Sequence, residues 1–180
     1  MREASLPAPP SGEVAAMVAV QSALADRPGV LTAARGLSHF GEHSIGWVAV
    51  SLLGAVLMPR RRRDWLVAGA GAFAAHAAAV LVKRLVRRQR PHHPAVAVNV
   101  GTPSQLSFPS AHATSTTAAA ILLGRATGLP PGISAVLLVP PMALSRILLG
   151  VHYPSDVAFG IGLGAAVAGI AVRTRELWRK

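Results

Sequence analysis

The chain contains no cysteine, so it has no disulfide, no thiol nucleophile and none of the common cysteine-based zinc sites. Acidic residues are scarce as well, 7 Asp and Glu against 18 Lys and Arg, which leaves a formal charge of +11. Aromatic residues make up only 4% and are scattered, so the basic face with stacking rings that single-stranded nucleic acid requires is missing. No nucleic-acid partner is expected. What the chain has in excess is apolar: 52% of its 180 residues are hydrophobic and 14% are charged. These apolar residues lie in long blocks rather than spaced stripes, with the cations clustered at block ends. That is the composition of a membrane protein whose cations meet lipid headgroups and set orientation.

Residues 1–12 hold Pro7, Pro9, Pro10 and Gly12 and read as a flexible tail. Residues 13–26 are too short to span a bilayer and are partly amphipathic, and residues 30–43 carry Arg35, His39, Glu42 and His43. Both read as interfacial helices, so 13–43 forms an interfacial region ahead of a transmembrane domain at 44–180. Five apolar blocks follow, at about 44–58, 65–82, 111–126, 133–149 and 157–172. Pro59 ends the first block, and Trp65 suits a membrane interface. Residues 83–110 read as a polar connection and 128–132 as a tight turn. The expected fold is all-α, an integral membrane helical bundle of about five transmembrane helices plus one or two amino-terminal interfacial helices.

Five spans place the chain ends on opposite sides. Arg60 to Arg63 and the tail residues Arg173, Arg175, Arg179 and Lys180 then share one face, which the positive-inside rule assigns to the cytoplasm. A multi-pass plasma-membrane protein results, with its carboxyl terminus cytoplasmic and the 83–110 connection on the outer face. Lys83, Arg84, Arg87, Arg88 and Arg90 would argue for the reverse, but a phosphate site needs cations for its own reasons.

Three polar clusters fall at span ends that this topology brings together: Lys83 with Arg90-Pro91, then Pro109-Ser110-Ala111-His112, then Ser145-Arg146 with His152 and Asp156. They supply two imidazoles, a carboxylate, three cations and hydroxyls at the rim of an apolar bundle, where isolated charges are costly. Phosphoryl transfer spreads negative charge over the equatorial oxygens and needs fixed cations and N–H donors aimed there. Lys83, Arg90 and Arg146 are the cations. Ser110 reads as a helix N-cap, whose following N–H groups at Ala111 and His112 form an anion site. Gly150 reads as a helix C-cap and Pro154 as a first-turn proline, so His152 lies between two helices. Asp156, one turn into the second helix, can reach back to one ring nitrogen and leave the other lone pair for attack. His112 is the natural acid and base for leaving group and water.

The order and spacing of these clusters, Lys83-x6-Arg90-Pro91, Pro109-Ser110-x-His112 and Ser145-Arg146-x5-His152-x3-Asp156, resemble the three-part signature of the PAP2 (type 2 phosphatidic acid phosphatase) superfamily. The resemblance implies a metal-independent helical bundle without cofactor. In it His152 is the nucleophile, Asp156 orients it, and His112 is acid and base. Lys83, Arg90, Ser110, Ser145 and Arg146 hold phosphate, with Ala111 standing where the family usually has glycine. The stretches SHFGEHS, RRRRDWLVAGA, RPHHPAVAVNVGTPSQLSFPSAHATSTTAAA and SRILLGVHYPSD extend the likeness to actinobacterial members acting on a decaprenyl-linked 5-phosphoribose. That extension implies a polyprenyl-linked phosphate as substrate, a phosphohistidine intermediate and a place in cell-wall arabinan synthesis.

Other readings stay beside this one. An undecaprenyl pyrophosphate or phosphatidate-type phosphatase would use the same machinery, and a noncatalytic lipid-binding membrane protein would keep the cradle but need no paired imidazoles. His76 reads as a packing or hydrogen-bonding residue within its span, and His92 and His93 as solvated loop residues that could also touch a headgroup. Glu42 and His43 have no assignment beyond a place near the headgroup mouth.

Overall fold

The computed structural model describes residues 9–130 and 132–177. Seven helices are described: α1 (Gly12–Leu24), α2 (Val30–Gly41), α3 (Ile45–Leu57), α4 (Arg62–Val86), α5 (Ala111–Thr127), α6 (Ile133–Leu148) and α7 (Pro154–Leu177). Among the described residues there is no strand, only an isolated antiparallel bridge between Gln89 and Leu106.

The bundle is organised around α5, which packs against α4, α6 and α7 and is buried along nearly its whole length. Its sequence explains this position. Alanines let neighbouring backbones approach, and the hydroxyls of Thr114 and Thr117 donate to the carbonyls of Ser110 and Ala113 one turn back, each at 2.8 Å. The facing surface of α7 is equally small. A β-carbon on Gly164 would meet the Thr114 carbonyl oxygen at 2.3 Å, and one on Gly160 the Ser110 carbonyl oxygen at 2.8 Å. On the other side Trp47 of α3 donates its indole N–H to Thr116 at 3.1 Å, and Trp65, Ala68, Ala72 and Ala75 of α4 complete the core.

Outside this core the bundle is apolar where a soluble protein would be polar. Leu52, Leu53, Val56 and Leu57 of α3, Phe73, Leu81 and Leu85 of α4, and Val136 and Leu137 of α6 are all exposed. Three helical stretches are long and apolar enough to cross a membrane: Val30–Leu57, Pro59–Val86 and Pro154–Glu176. Gly12–Leu24 and Ile133–Leu148 are shorter apolar helices. The chain is thus an all-helical membrane protein, with α3 to α7 lying over the five expected apolar blocks.

One boundary differs from expectation. α4 continues through Lys83 to Val86 and stops only at Arg87, in the left-handed region at φ 56°. A basic last turn is compatible with the helix because the Lys83 stem is buried while its amine reaches polar loop carbonyls. The expected boundary between 43 and 44 falls at the single turn joining α2 and α3, in which His43 (φ 48°) and Ser44 (φ 65°) are both left-handed. Each such residue costs about 1–2 kcal/mol when it carries a β-carbon. Trp65 is only 7% exposed and packs in the core against Gly54.

α1 caps one end of the bundle. Its buried Gln21 donates to the carbonyls of Ala97 (2.7 Å) and Leu148 (3.0 Å) and accepts from the Ala97 N–H at 3.0 Å. Arg35 of α2 donates to the Asn99 carbonyl at 2.9 Å. The long α4–α5 connection is thereby pinned over the ends of α4, α6 and α7. Residues 1–8 of the expected tail, with Arg179 and Lys180, lie outside the described residues.

Candidate active site

All three motifs meet at this capped end. From the last turn of α4, Lys83 Nζ donates to the carbonyls of Ser107 (2.8 Å) and Leu106 (3.1 Å). Arg90 donates through Nε to Ser104 O and through Nη1 to Val151 O, both at 2.7 Å, and Nη1 also lies 3.4 Å from His152 Nε2. Lys83 therefore ties the end of α4 to the α4–α5 connection, and Arg90 staples that connection to the loop bearing His152. Arg146, in the last turn of α6, is 2% exposed. Its Nε faces Ser145 Oγ at 3.3 Å, and its Nη2 has no hydrogen-bond partner among the described residues.

Ser110 is the N-cap of α5, accepting from the Ala113 N–H at 3.4 Å, and its own N–H donates to the Asp156 carbonyl at 2.9 Å. The second motif is thus tied to the third. Ser145 Oγ donates to the Met142 carbonyl at 2.7 Å. Both hydroxyls are occupied within the bundle, while Ala111 and His112 line the cavity described below.

The turn between α6 and α7 places His152. Gly150 adopts φ 72°, and a β-carbon there would stand 2.1 Å from the Ala97 carbonyl oxygen, so glycine is required on both counts. Pro154 starts α7, and Asp156 in its first turn accepts the Tyr153 N–H through Oδ2 at 2.9 Å. The same oxygen lies 3.6 Å from His152 Nδ1, longer than a hydrogen bond but in the orientation expected of the pair. Burial first, then the charges of Arg90, Lys83 and Arg146, hold the His152 imidazole well below its ordinary pKa. It is neutral at pH 7, the form in which it has a lone pair to give.

Two residues outside the signature join this turn. Arg88 Nη1 donates to Asp156 Oδ1 at 2.9 Å and to Ser155 Oγ at 2.7 Å, its Nη2 meets Glu13 Oε2 at 2.7 Å, and the guanidinium stacks 4.0 Å over the Tyr153 ring. Glu13 Oε1 in turn accepts the Ser155 N–H at 2.8 Å. Hydrogen bonding to Arg88 and the Ser155 backbone outweighs desolvation and holds the Glu13 carboxyl below its usual range. The sequence offered Arg88 only as one of several basic residues of the connection and gave no sign of Glu13, because no local pattern links α1 to this turn.

Lys83, Arg90, His112, Arg146 and His152 share a cavity of about 370 Å³. His112 Nε2 lies 2.9 Å from the Ser38 carbonyl oxygen, which favours the tautomer with the proton on Nε2 and leaves Nδ1 as the acceptor. His76 and His43 also line the cavity, with ring centroids 5.6 Å apart. His92 and His93 stay in the connection, where His92 Nδ1 faces the Arg90 carbonyl and His93 Nδ1 accepts the Ala95 N–H, each at 3.1 Å. Among the described residues no group of three or more His, Asp or Glu side chains is placed to hold a metal. A larger groove of about 1020 Å³ lies at the opposite end between α4 and α7 and contains none of the motif residues.

The profile of the PAP2 superfamily matches residues 64–180. A decaprenylphosphoryl-5-phosphoribose phosphatase of Mycobacterium tuberculosis is 78% identical over 161 residues, covering 89% of each chain. The protein of that name from Mycolicibacterium smegmatis is 70% identical over 151 residues, 84% of this chain and 82% of its own. Among solved structures, a transmembrane PAP2-type phosphatidylglycerolphosphate phosphatase from Bacillus subtilis superimposes with a TM-score of 0.71 at 23% identity, covering 90% of this chain and 85% of its own. That last likeness speaks for the fold.

Proposed function

Because the chain belongs to the PAP2 superfamily and is a phosphoric monoester hydrolase, we propose that it removes the 5-phosphate of decaprenylphosphoryl-5-phosphoribose, giving decaprenylphosphoryl ribose for cell-wall arabinan synthesis. The observation that carries the reading is the convergence of buried cations on one nucleophile. Lys83, Arg90 and Arg146 surround the 370 Å³ cavity that His152 enters, and the buried Arg146 Nη2 has donors to spare. A phosphate dianion meets that demand, and the planar guanidinium can grip two of its oxygens.

In the proposed reaction the His152 Nε2 lone pair attacks phosphorus as the bond to the leaving oxygen breaks. His112, protonated on both nitrogens, gives the Nδ1 proton to the departing alkoxide. Asp156 stabilises the Nδ1–H side of the phosphorylated ring. Water then attacks phosphorus, neutral His112 takes its proton, the P–N bond breaks and inorganic phosphate leaves. Lys83, Arg90 and Arg146 neutralise the equatorial oxygens in both steps. No step requires a metal.

The protein would cross the plasma membrane several times, with the His152 end outward and the carboxyl terminus in the cytoplasm. Its partners are the polyprenyl-linked substrate and surrounding lipids.

The test is phosphate release in detergent with a chelator present, comparing wild type with His152→Ala on decaprenylphosphoryl-5-phosphoribose, undecaprenyl pyrophosphate and phosphatidate. The expected result is chelator-insensitive release, fastest from the phosphoribose lipid and reduced at least about 10³-fold by the substitution. Equal rates on all three lipids would remove the substrate assignment, and binding without release would make the protein a lipid-phosphate carrier.

A further inference from the structure

The cavity has a second pole that the phosphate chemistry leaves unused. Besides Lys83, Arg90 and Arg146, it is lined by Ser38, Glu42 and His43 at the break between α2 and α3, and by His76 of α4. Among the described residues Glu42 is the one acidic side chain lining the cavity. In a phosphate cradle a carboxylate is unfavourable by charge alone, since it repels the dianion the cations attract. Its position therefore calls for another ligand group.

Glu42 Oε2 lies 4.0 Å from His112 Nε2, beyond hydrogen-bond distance, and that nitrogen already faces the Ser38 carbonyl. Glu42 Oε1 lies 3.5 Å from His43 Nδ1. The carboxylate is 36% exposed, so its acceptors remain available to a ligand. The His43 ring, 60% exposed, marks the cavity mouth, and the buried His76 Nδ1 has no partner among the described residues. Glu42 and His43 owe their direction to the left-handed turn at His43 and Ser44, which breaks the helix at this depth. Strained backbone of this kind recurs where side chains must be aimed.

His112 stands between the two poles. A phosphate in the cationic pole directs its leaving oxygen to His112 and the remainder of the leaving group toward Glu42. An ionised carboxylate only accepts hydrogen bonds, and its two oxygens match two hydroxyls on adjacent carbons. A leaving group with hydroxyls a few bonds from the phosphoester satisfies it, whereas a diacylglycerol or plain prenyl alcohol would bury it against methylenes.

Resting on the substrate reading above, we propose that Glu42, assisted by His43, binds the sugar hydroxyls and makes the enzyme selective for a phosphosugar lipid over other lipid phosphates. Glu42 is in this role a specificity residue, remote from the bonds that change.

The experiment compares the full chain in detergent, as wild type, Glu42→Gln and Glu42→Ala, on polyprenylphosphoryl-5-phosphoribose, its 2,3-dideoxyribose analogue and phosphatidate. Wild type is expected to favour the hydroxylated substrate over the dideoxy analogue by on the order of 10²-fold in kcat/KM, chiefly through KM. Glu42→Ala should erase that preference while leaving the dideoxy analogue and phosphatidate as fast as before, and Glu42→Gln should lie between. The two hydroxyl-free substrates report whether each variant is folded and catalytically intact. An equal loss on all three would overturn the proposal and assign Glu42 to His112 or to folding. A preference that survives Glu42→Ala would overturn it while the substrate reading stands. A wild type that does not hydrolyse the phosphoribose lipid, yet hydrolyses phosphatidate, would remove the substrate reading and this proposal with it.

Discussion

Arg88 Nη1 lies 2.9 Å from Asp156 Oδ1, while the other oxygen of that carboxylate faces His152 Nδ1 at 3.6 Å. The proposed nucleophile is thus aimed by a carboxylate that is itself aimed by an arginine outside the three motifs, and Glu13 of α1 anchors the arginine. Arg88→Gln would leave the buried Asp156 without its cation and free it to turn. We expect kcat to fall by about 10- to 100-fold with KM nearly unchanged, since geometry rather than phosphate grip is lost. Arg88→Lys, which restores the charge without the fork, should recover part of it. Unchanged kcat in a well-folded Arg88→Gln variant would show that Asp156 needs no such support.

The ionisation of His152 gives a second test. Burial and the neighbouring cations lower its pKa, so falling pH should leave it neutral well past the point where an ordinary histidine protonates. In protein carrying 15N-labelled histidine, with the signal assigned by its loss in His152→Ala, the ring should still be neutral at pH 6.5. The acid limb of kcat/KM would then be dominated by the second ionisation of the substrate phosphate, near about 6. The same sign governs stability. Keeping His152 neutral costs nothing above about 6.5, where the unfolded chain is neutral too, and stability is lost as pH falls below that value toward the folded pKa. Protonation of the native ring at or above 6.5 would contradict the environment described.

The roles of His112 separate by leaving group. Lipid-linked sugar departs as an alkoxide that must be protonated, and there His112→Ala should cost about 10²- to 10⁴-fold. From p-nitrophenyl phosphate the phenolate leaves without a proton, so phosphorylation of His152 should persist while hydrolysis of the phosphohistidine, which still lacks its base, becomes slow. The expected signature is a stoichiometric burst of p-nitrophenol followed by slow turnover. Equal losses on both substrates with no burst would take the acid and base roles away from His112.

The motifs were legible in the sequence because their chemistry is local. Ser110 caps α5, Gly150 permits the turn that holds His152, and Pro154 with Asp156 opens α7, all within short spans of chain. Arg88 and Glu13 were not legible, since they meet only when α1 docks across the end of the bundle through Gln21. The break at His43 and Ser44 was legible as the boundary between the 30–43 and 44–58 segments, but its left-handed backbone was not, since the apolar pattern on either side does not fix φ. Lys83 misled in the opposite sense, because a basic residue at the edge of an apolar block looks like loop, whereas its buried stem lets α4 run on to Val86.

Orientation can be read from the absence of cysteine, since any single introduced thiol is then unique. Asp64 at the start of α4 pairs with Arg175 near the end of α7, and Arg125 at the end of α5 pairs with Glu176 at 3.4 Å, so Arg60 to Arg63 and Arg173 share the bundle end opposite the cavity. Arg60, Arg62 and Arg63 are exposed there, as an orientation signal should be. At the other end Lys83, Arg88 and Arg90 are engaged in hydrogen bonds to the α4–α5 connection and the α6–α7 turn, which would account for basic residues there if that face is the translocated one, as proposed. A membrane-impermeant maleimide applied to intact cells should therefore label Ala95→Cys, in the exposed connection, and spare Arg62→Cys until the membrane is opened. Labelling of Arg62→Cys alone would place the cavity on the cytoplasmic side, and the substrate would then have to be met before, rather than after, its transfer to the outer leaflet.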